Sequence, residues 1–132
     1  MKYMLDTNIC IYIIKRKPEH VINHLQQIPI SDVGLSSITL SELEYGVEKS
    51  QHKVKNKIAL AQFMTPLIIA PYDDLAARHY GEIRCYLEKK GQSIGALDLL
   101  IAAHALSLNA TLVTNNEQKF NRIPKLKIEN WI

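Results

Sequence analysis

Short apolar runs bounded by polar or turn residues alternate along the chain with stretches of helical period. The first run, Met1-Lys2-Tyr3-Met4-Leu5, gives way to Asp6-Thr7-Asn8, and Ile9, Ile11, Tyr12, Ile13 and Ile14 follow at once. This pattern predicts a buried strand, a turn in which Thr7 or Asn8 caps, and a helix. Lys15-Arg16-Lys17-Pro18 closes that helix and opens the next. Residues 33–37 predict a second strand, running into a helix with Leu40, Leu43 and Val47 on its apolar side. A basic passage, residues 49–57, leads to an apolar helical face at Ile58, Leu60, Ala61, Phe63 and Met64, stopped near Pro66. Leu67-Ile68-Ile69-Ala70, between Pro66 and Pro71, predicts a third buried strand. A long helix should run from a cap at Asp73 or Asp74 to Lys90, ended by Gly91. Residues 94–106 are apolar almost all round and predict a buried helix. Ala110-Thr111-Leu112-Val113-Thr114 predicts a fourth strand, Phe120 a residue tucked beneath the following turn, and residues 126–131 a last short strand. There is no repeat, low-complexity segment or flexible linker. The expectation is one α/β domain over residues 1–132, with a mainly parallel sheet of 4–5 strands and helices on both faces.

Composition changes this picture little. Apolar residues make up 47% and charged residues 22%, as in ordinary globular proteins. No stretch approaches the run of about 20 apolar residues that spans a bilayer. The start, one lysine and then Asp6, does not read as a signal peptide. Cys10 and Cys85 lie far apart in apolar patterns without metal-type spacing. They are expected as buried thiols of a reducing compartment, which makes the protein cytoplasmic. The net charge of +3 is weakly basic, and more so once acids gathered in a pocket are counted apart. Such a body suits a polyanion approaching bound cations, although a merely solvated surface gives the same count.

Three acids carry the candidate chemistry. Asp6 closes the first strand, at the edge where open α/β sheets place their ligands, unless it only caps the helix. Thr39-Leu40-Ser41-Glu42 has capping-box spacing, so Glu42 either reaches back to a backbone amide or, if Ser36 or Ser37 caps instead, faces the strand ends. Asp98 lies in the first turns of the apolar helix. The helix dipole favours a charge there by only about 0.3–1 kcal/mol, too little for a buried carboxylate. Asp98 should therefore be paired, hydrogen-bonded or bound to metal. His104 falls on a different face and reads as a satisfied core or rim histidine. His20 and His24, four apart, lack further ligands and read as an exposed helix face. In a parallel sheet Asp6, Glu42 and Asp98 converge on one edge, where they stay ionised together only with cations among them. Mg²⁺ or Mn²⁺ suits an all-oxygen set, and their usual work is to activate water and stabilise the oxyanions of phosphodiester hydrolysis.

Met4-Leu5-Asp6-Thr7-Asn8, residues 36–43, residues 94–105 and Leu112-Val113-Thr114-Asn115-Asn116 resemble, in order and spacing, the successive motifs of PIN-domain ribonucleases. More narrowly they resemble VapC-type toxins of bacterial toxin–antitoxin pairs. The resemblance implies a PIN-like (Rossmann-like) α/β/α sandwich and a Mg²⁺- or Mn²⁺-dependent endoribonuclease that leaves a 5′-phosphate, acting on structured RNA such as tRNA. Asp6, Glu42 and Asp98 match the family's metal-binding acids, and Asn8 and Thr114 match polar positions that orient ligands or water. It also implies a homodimer and a VapB-type antitoxin whose C-terminal segment occupies the active-site groove. An antitoxin arginine would reach the acids, and the complex would bind operator DNA through the antitoxin. Many PIN domains carry a fourth acid where this chain has Asn116, followed by Glu117 as a possible substitute. One well-held ion is therefore expected in the free protein, with any second arriving with the RNA phosphate. Arg84, on the long helix, is a candidate to steer a phosphate, or else a partner of Glu82 or Glu88.

Two other functions compete. A phosphatase using Asp6 as nucleophile would want a second Asp two residues on, where Asn8 stands. A catalytically inactive PIN-like RNA- or partner-binding module would not need Asp6, Glu42 and Asp98 intact. DNA carries the same diester as RNA, so the acids alone do not choose between them.

Overall fold

Successive side chains of a strand point to opposite faces, and the strands here have apolar residues for both. Leu5 and Val113 face one core cluster, while Met4 and Leu112 face another. That double burial fits a parallel sheet covered on both sides. The computed structural model, describing residues 1–132, forms it from β1 (Tyr3–Leu5), β2 (Val33–Ser36), β3 (Ile68–Ala70), β4 (Thr111–Val113) and β5 (Ile128–Glu129). All neighbours are parallel, in the order β3-β2-β1-β4-β5. The chain works outward to one edge and then returns to the other side of β1, so the order reverses between β1 and β4. Such a switch point opens a crevice at the carboxyl ends of the strands.

Helices α1 (Thr7–Lys15), α2 (Glu19–Gln26), α3 (Ser37–Glu48) and α4 (Lys53–Met64) bury Ile9, Ile13, Val21, Leu43, Val47 and Leu60 on one face of the sheet. Helices α5 (Asp74–Lys89) and α6 (Ala96–Ser107) cover the other with Ile83, Leu87, Leu99, Ile101 and small alanines. The four-residue α7 (Glu117–Phe120) follows β4 and is pinned by Phe120, which has no exposed surface. No helix is long and apolar enough to cross a membrane. Gly34 belongs where it is for steric reasons. A Cβ there would collide with the Ile68 carbonyl on β3 and with the Met1 side chain.

Several local expectations need correction. Asp6 caps α1, as one of its two readings allowed, and Thr7 and Asn8 do not, because the Asp6 carboxylate reaches the Thr7 amide. The strand at residues 67–70 is not buried: β3 is the sheet edge, and Ile68 is 41% exposed. Cys10 is buried as expected but Cys85 is exposed, because it sits on the outer face of α5. Asp98 is only partly buried, since the first turn of α6 opens to solvent. Its charge is therefore less costly than a core position would make it.

Candidate active site

The site is built where three chain segments leave the sheet in the same direction. Asp6 follows β1, Thr114 follows β4, and α3 follows β2 to carry Glu42. Asp6 is 7% exposed and both its oxygens are engaged. Oδ1 accepts the Thr7 backbone N–H at 2.7 Å, and Oδ2 accepts the Thr114 hydroxyl at 2.8 Å. Thr7 uses its side chain separately, donating its hydroxyl to Glu42 Oε1 at 2.8 Å. One threonine thus ties two of the acids together. Ser36 caps α3 through the Ile38 amide, which settles the capping choice and leaves Glu42 free to face Thr7. Ser36 is itself held from below: its hydroxyl lies 2.7 Å from Nδ1 of His104, a buried histidine whose pKa is lowered by burial.

Asp98 comes from the opposite side, on the first turn of α6. Its Oδ2 accepts from Lys119 Nζ at 2.9 Å, so the pairing expected of this acid is made with a lysine of α7. Burial raises the pKa of Asp6, the Thr114 and Thr7 hydrogen bonds oppose that rise, and the charges of Asp98 and Glu42 add to it.

The remaining candidates make no hydrogen bond to the three acids. Asn8 is exposed on the first turn of α1, and Thr7 rather than Asn8 reaches the acids. Asn116 is exposed, and its backbone N–H donates to Thr114 Oγ1 at 3.0 Å. Glu117 accepts from Asn130 at 3.2 Å and so faces the C-terminal tail. Arg84 is engaged on the outside of α5 by Glu88 at 3.1 Å and the Tyr80 hydroxyl at 2.9 Å. His24 stacks on Trp131 rather than joining a metal set, with ring centroids 4.5 Å apart. Thr7 and Lys119 are the site residues that sequence reasoning missed. In sequence Thr7 stands out as a helix cap and a motif position with no role of its own, and nothing local marks Lys119 except its place beside Phe120.

The donor set fits a hard divalent ion in kind. It consists of carboxylate oxygens backed by hydroxyls, with mutual repulsion relieved only by one ammonium. As the side chains stand, no three acids are close enough to hold an ion, so binding one requires the carboxylates to draw together. Glu42 Oε2 and Asp98 Oδ1 are the oxygens left by Thr7 and Lys119 for that purpose. Beside Glu42 an apolar groove runs between α1, α3 and α4, lined by Ile11, Ile14, Leu43, Val47 and Leu60.

Comparison with known proteins gives a consistent answer. The PIN domain family matches residues 3–126. The chain is 48% identical over 132 residues to Ribonuclease VapC2 of Rickettsia felis, covering 99% of this chain and 98% of that protein. It is 45% identical over 131 residues to the tRNA(fMet)-specific endonuclease VapC of Salmonella typhimurium, with coverage of 99% and 98%. The crystal structure of VapBC2 from Rickettsia felis bound to a DNA fragment from its promoter superposes with a TM-score of 0.93 at 47% identity, covering both chains fully. DNA-bound VapBC from Salmonella typhimurium gives 0.94 at 45% identity, over 100% of this chain and 99% of that one.

Proposed function

The chain belongs to the PIN-domain family, among its VapC-type toxin ribonucleases, and from that premise we propose that Asp6, Glu42 and Asp98 hold a divalent cation for RNA phosphodiester hydrolysis. The observation that carries the assignment is the convergence on Asp6. A buried carboxylate at the sheet's switch point is oriented by two threonine donors, and one of these threonines, Thr7, also holds Glu42. Mg²⁺ or Mn²⁺, when bound, supplies Lewis-acid activation of water and charge neutralisation at the phosphate. The chain's own part is positional. Thr114 and Thr7 clamp the two oxygens of Asp6, Thr7 orients Glu42, and the open first turn of α6 presents Asp98 to solvent and substrate. We read residues 1–132 as one such domain, acting in the cytoplasm.

The protein is a toxin endoribonuclease of the VapBC type, held in check by a VapB-type antitoxin in a complex that binds promoter DNA. tRNA is the substrate class we assign, because the Salmonella relative is specific for tRNA(fMet). The apolar groove beside Glu42 suits an antitoxin segment that seats apolar side chains and brings a cation to the acids. A homodimer is part of the same reading. The test is cleavage of total cellular RNA by antitoxin-free protein with Mg²⁺, Mn²⁺ or EDTA, beside Asp98→Asn. Discrete metal-dependent fragments that vanish in the variant are expected. Cleavage unaffected by EDTA would refute metal dependence, and full activity in Asp98→Asn would refute the residue assignment.

A further inference from the structure

The acids are not alone at the strand ends: Lys119 Nζ lies 2.9 Å from Asp98 Oδ2. We propose that Lys119 is the resident second cation of this site, its ammonium filling the place of a second divalent ion and facing the phosphate to be cut. This rests on the reading of Asp6, Glu42 and Asp98 as the ion-holding acids.

The support is local to the site. The lysine is fixed in place, because the next residue, Phe120, is fully buried and anchors α7 beneath the site. Its side chain is 35% exposed, so the ammonium is open to a ligand on one side. An ammonium has three N–H donors, and the bond to Asp98 leaves two for phosphate oxygens. The acid that could hold another ion is missing: Asn116 is uncharged and Glu117 is turned to Asn130. One divalent ion and one ammonium together match the charge of the three carboxylates, whereas two divalent ions would overshoot it. Asp98 serves both cations, Oδ2 on the lysine and Oδ1 left for the metal.

The experiment is Mn²⁺ titration of the antitoxin-free full chain by calorimetry, with bound Mn²⁺ counted by electron paramagnetic resonance. Wild type, Lys119→Met, Lys119→Glu and Lys119→Arg are compared, with cleavage of tRNA measured in parallel and folding checked by circular dichroism. Wild type should bind one ion and Lys119→Glu two. Lys119→Met should keep its fold and lose about 10²-fold in kcat, as when one preorganised oxyanion donor is removed, with KM for RNA changed far less. Lys119→Arg should recover part of that loss. Two ions in wild type, or Lys119→Met within about threefold of wild-type kcat, would overturn the inference. If wild type still cuts RNA with metal and Asp98→Asn does not, the parent reading survives that failure. If wild type binds no Mn²⁺ and cuts no RNA, both readings fall together.

Discussion

Thr114→Val removes one oxygen from the site and keeps the side chain's shape. Thr114 has no exposed surface, and its hydroxyl donates to Asp6 Oδ2 at 2.8 Å while accepting the Asn116 N–H at 3.0 Å. A hydrogen bond to a charged group contributes about 1.5–3 kcal/mol, and one to a neutral group about 0.5–1.5 kcal/mol. Asn116 is exposed, so water can replace its lost acceptor and the Asp6 bond dominates. The expected cost at neutral pH is about 2 kcal/mol. At about 3–5 °C per kcal/mol for a chain of this size, Tm should fall by roughly 6–10 °C. The pH dependence follows from Asp6, whose pKa lies above its ordinary 3.8 because burial outweighs its two donors. A carboxyl with a raised folded pKa binds its proton more tightly when native, so folding loses stability as pH climbs from about 3.8 through the folded value. Without the Thr114 hydroxyl that value rises further. The variant's deficit should therefore be largest above it and shrink in acid, where only a bond to a neutral carboxyl is lost. Thermal melts of metal-free protein across pH measure this, and calorimetry should show Mg²⁺ affinity weakened about 10–100-fold. A Tm within about 1 °C of wild type at pH 7, or a deficit independent of pH, would mean that the hydroxyl does not hold an ionised Asp6.

Other consequences are as direct. Burial lowers the pKa of His104 against the opposing pull of Asp73 and the Pro71 backbone. Unfolded chains protonate near 6.5, so stability should be full above that pH and decline as pH falls through it towards the folded value. Melting of His104→Gln should lack this slope, and an unchanged slope would assign it to another group. Burial, and then Asp6, push the Cys10 thiol well above its ordinary 9.0, while Cys85 is exposed. Native protein should titrate one thiol rapidly with a disulfide reagent and the second only in denaturant; two fast thiols would show that the α1 core opens. Thr7→Val cuts the bond to Glu42 while leaving the backbone donor to Asp6. Its Mg²⁺ affinity should drop about tenfold while stability falls by about 1.5 kcal/mol, the low end for a bond to a charged group because Thr7 and Glu42 are only half-buried, read by calorimetry and melting. Equal affinity would remove Thr7 from the site.

Local pattern carried the elements because periodicity and end signals are short-range. Ile9, Ile13 and their neighbours announce α1, Asp73 caps α5 through Ala76, and Gly91 follows α5 at φ 65°. The same signals put Asp6 at a strand end and Asp98 at a helix start, and four motifs in order named the family. Where reading failed, the missing information was depth or neighbourhood. Leu67-Ile68-Ile69-Ala70 has the same apolar character as a central strand, yet nothing local says that β3 lies at the sheet's edge. Cys85 lies in an apolar pattern whose phase on α5 turns it outward.

The sequence alone therefore determined the α/β alternation, the two apolar faces of the sheet and the acids at its carboxyl edge. Only the tertiary structure decided which groups meet those acids. Thr7 reaches Glu42 across 35 positions, Lys119 reaches Asp98 across 21, and Thr114 reaches Asp6 across 108. Helical and strand periods fix which face a side chain occupies on its own element. Its partner is fixed by strand order and packing, which bring β1 beside β4 and set α7 against the first turn of α6.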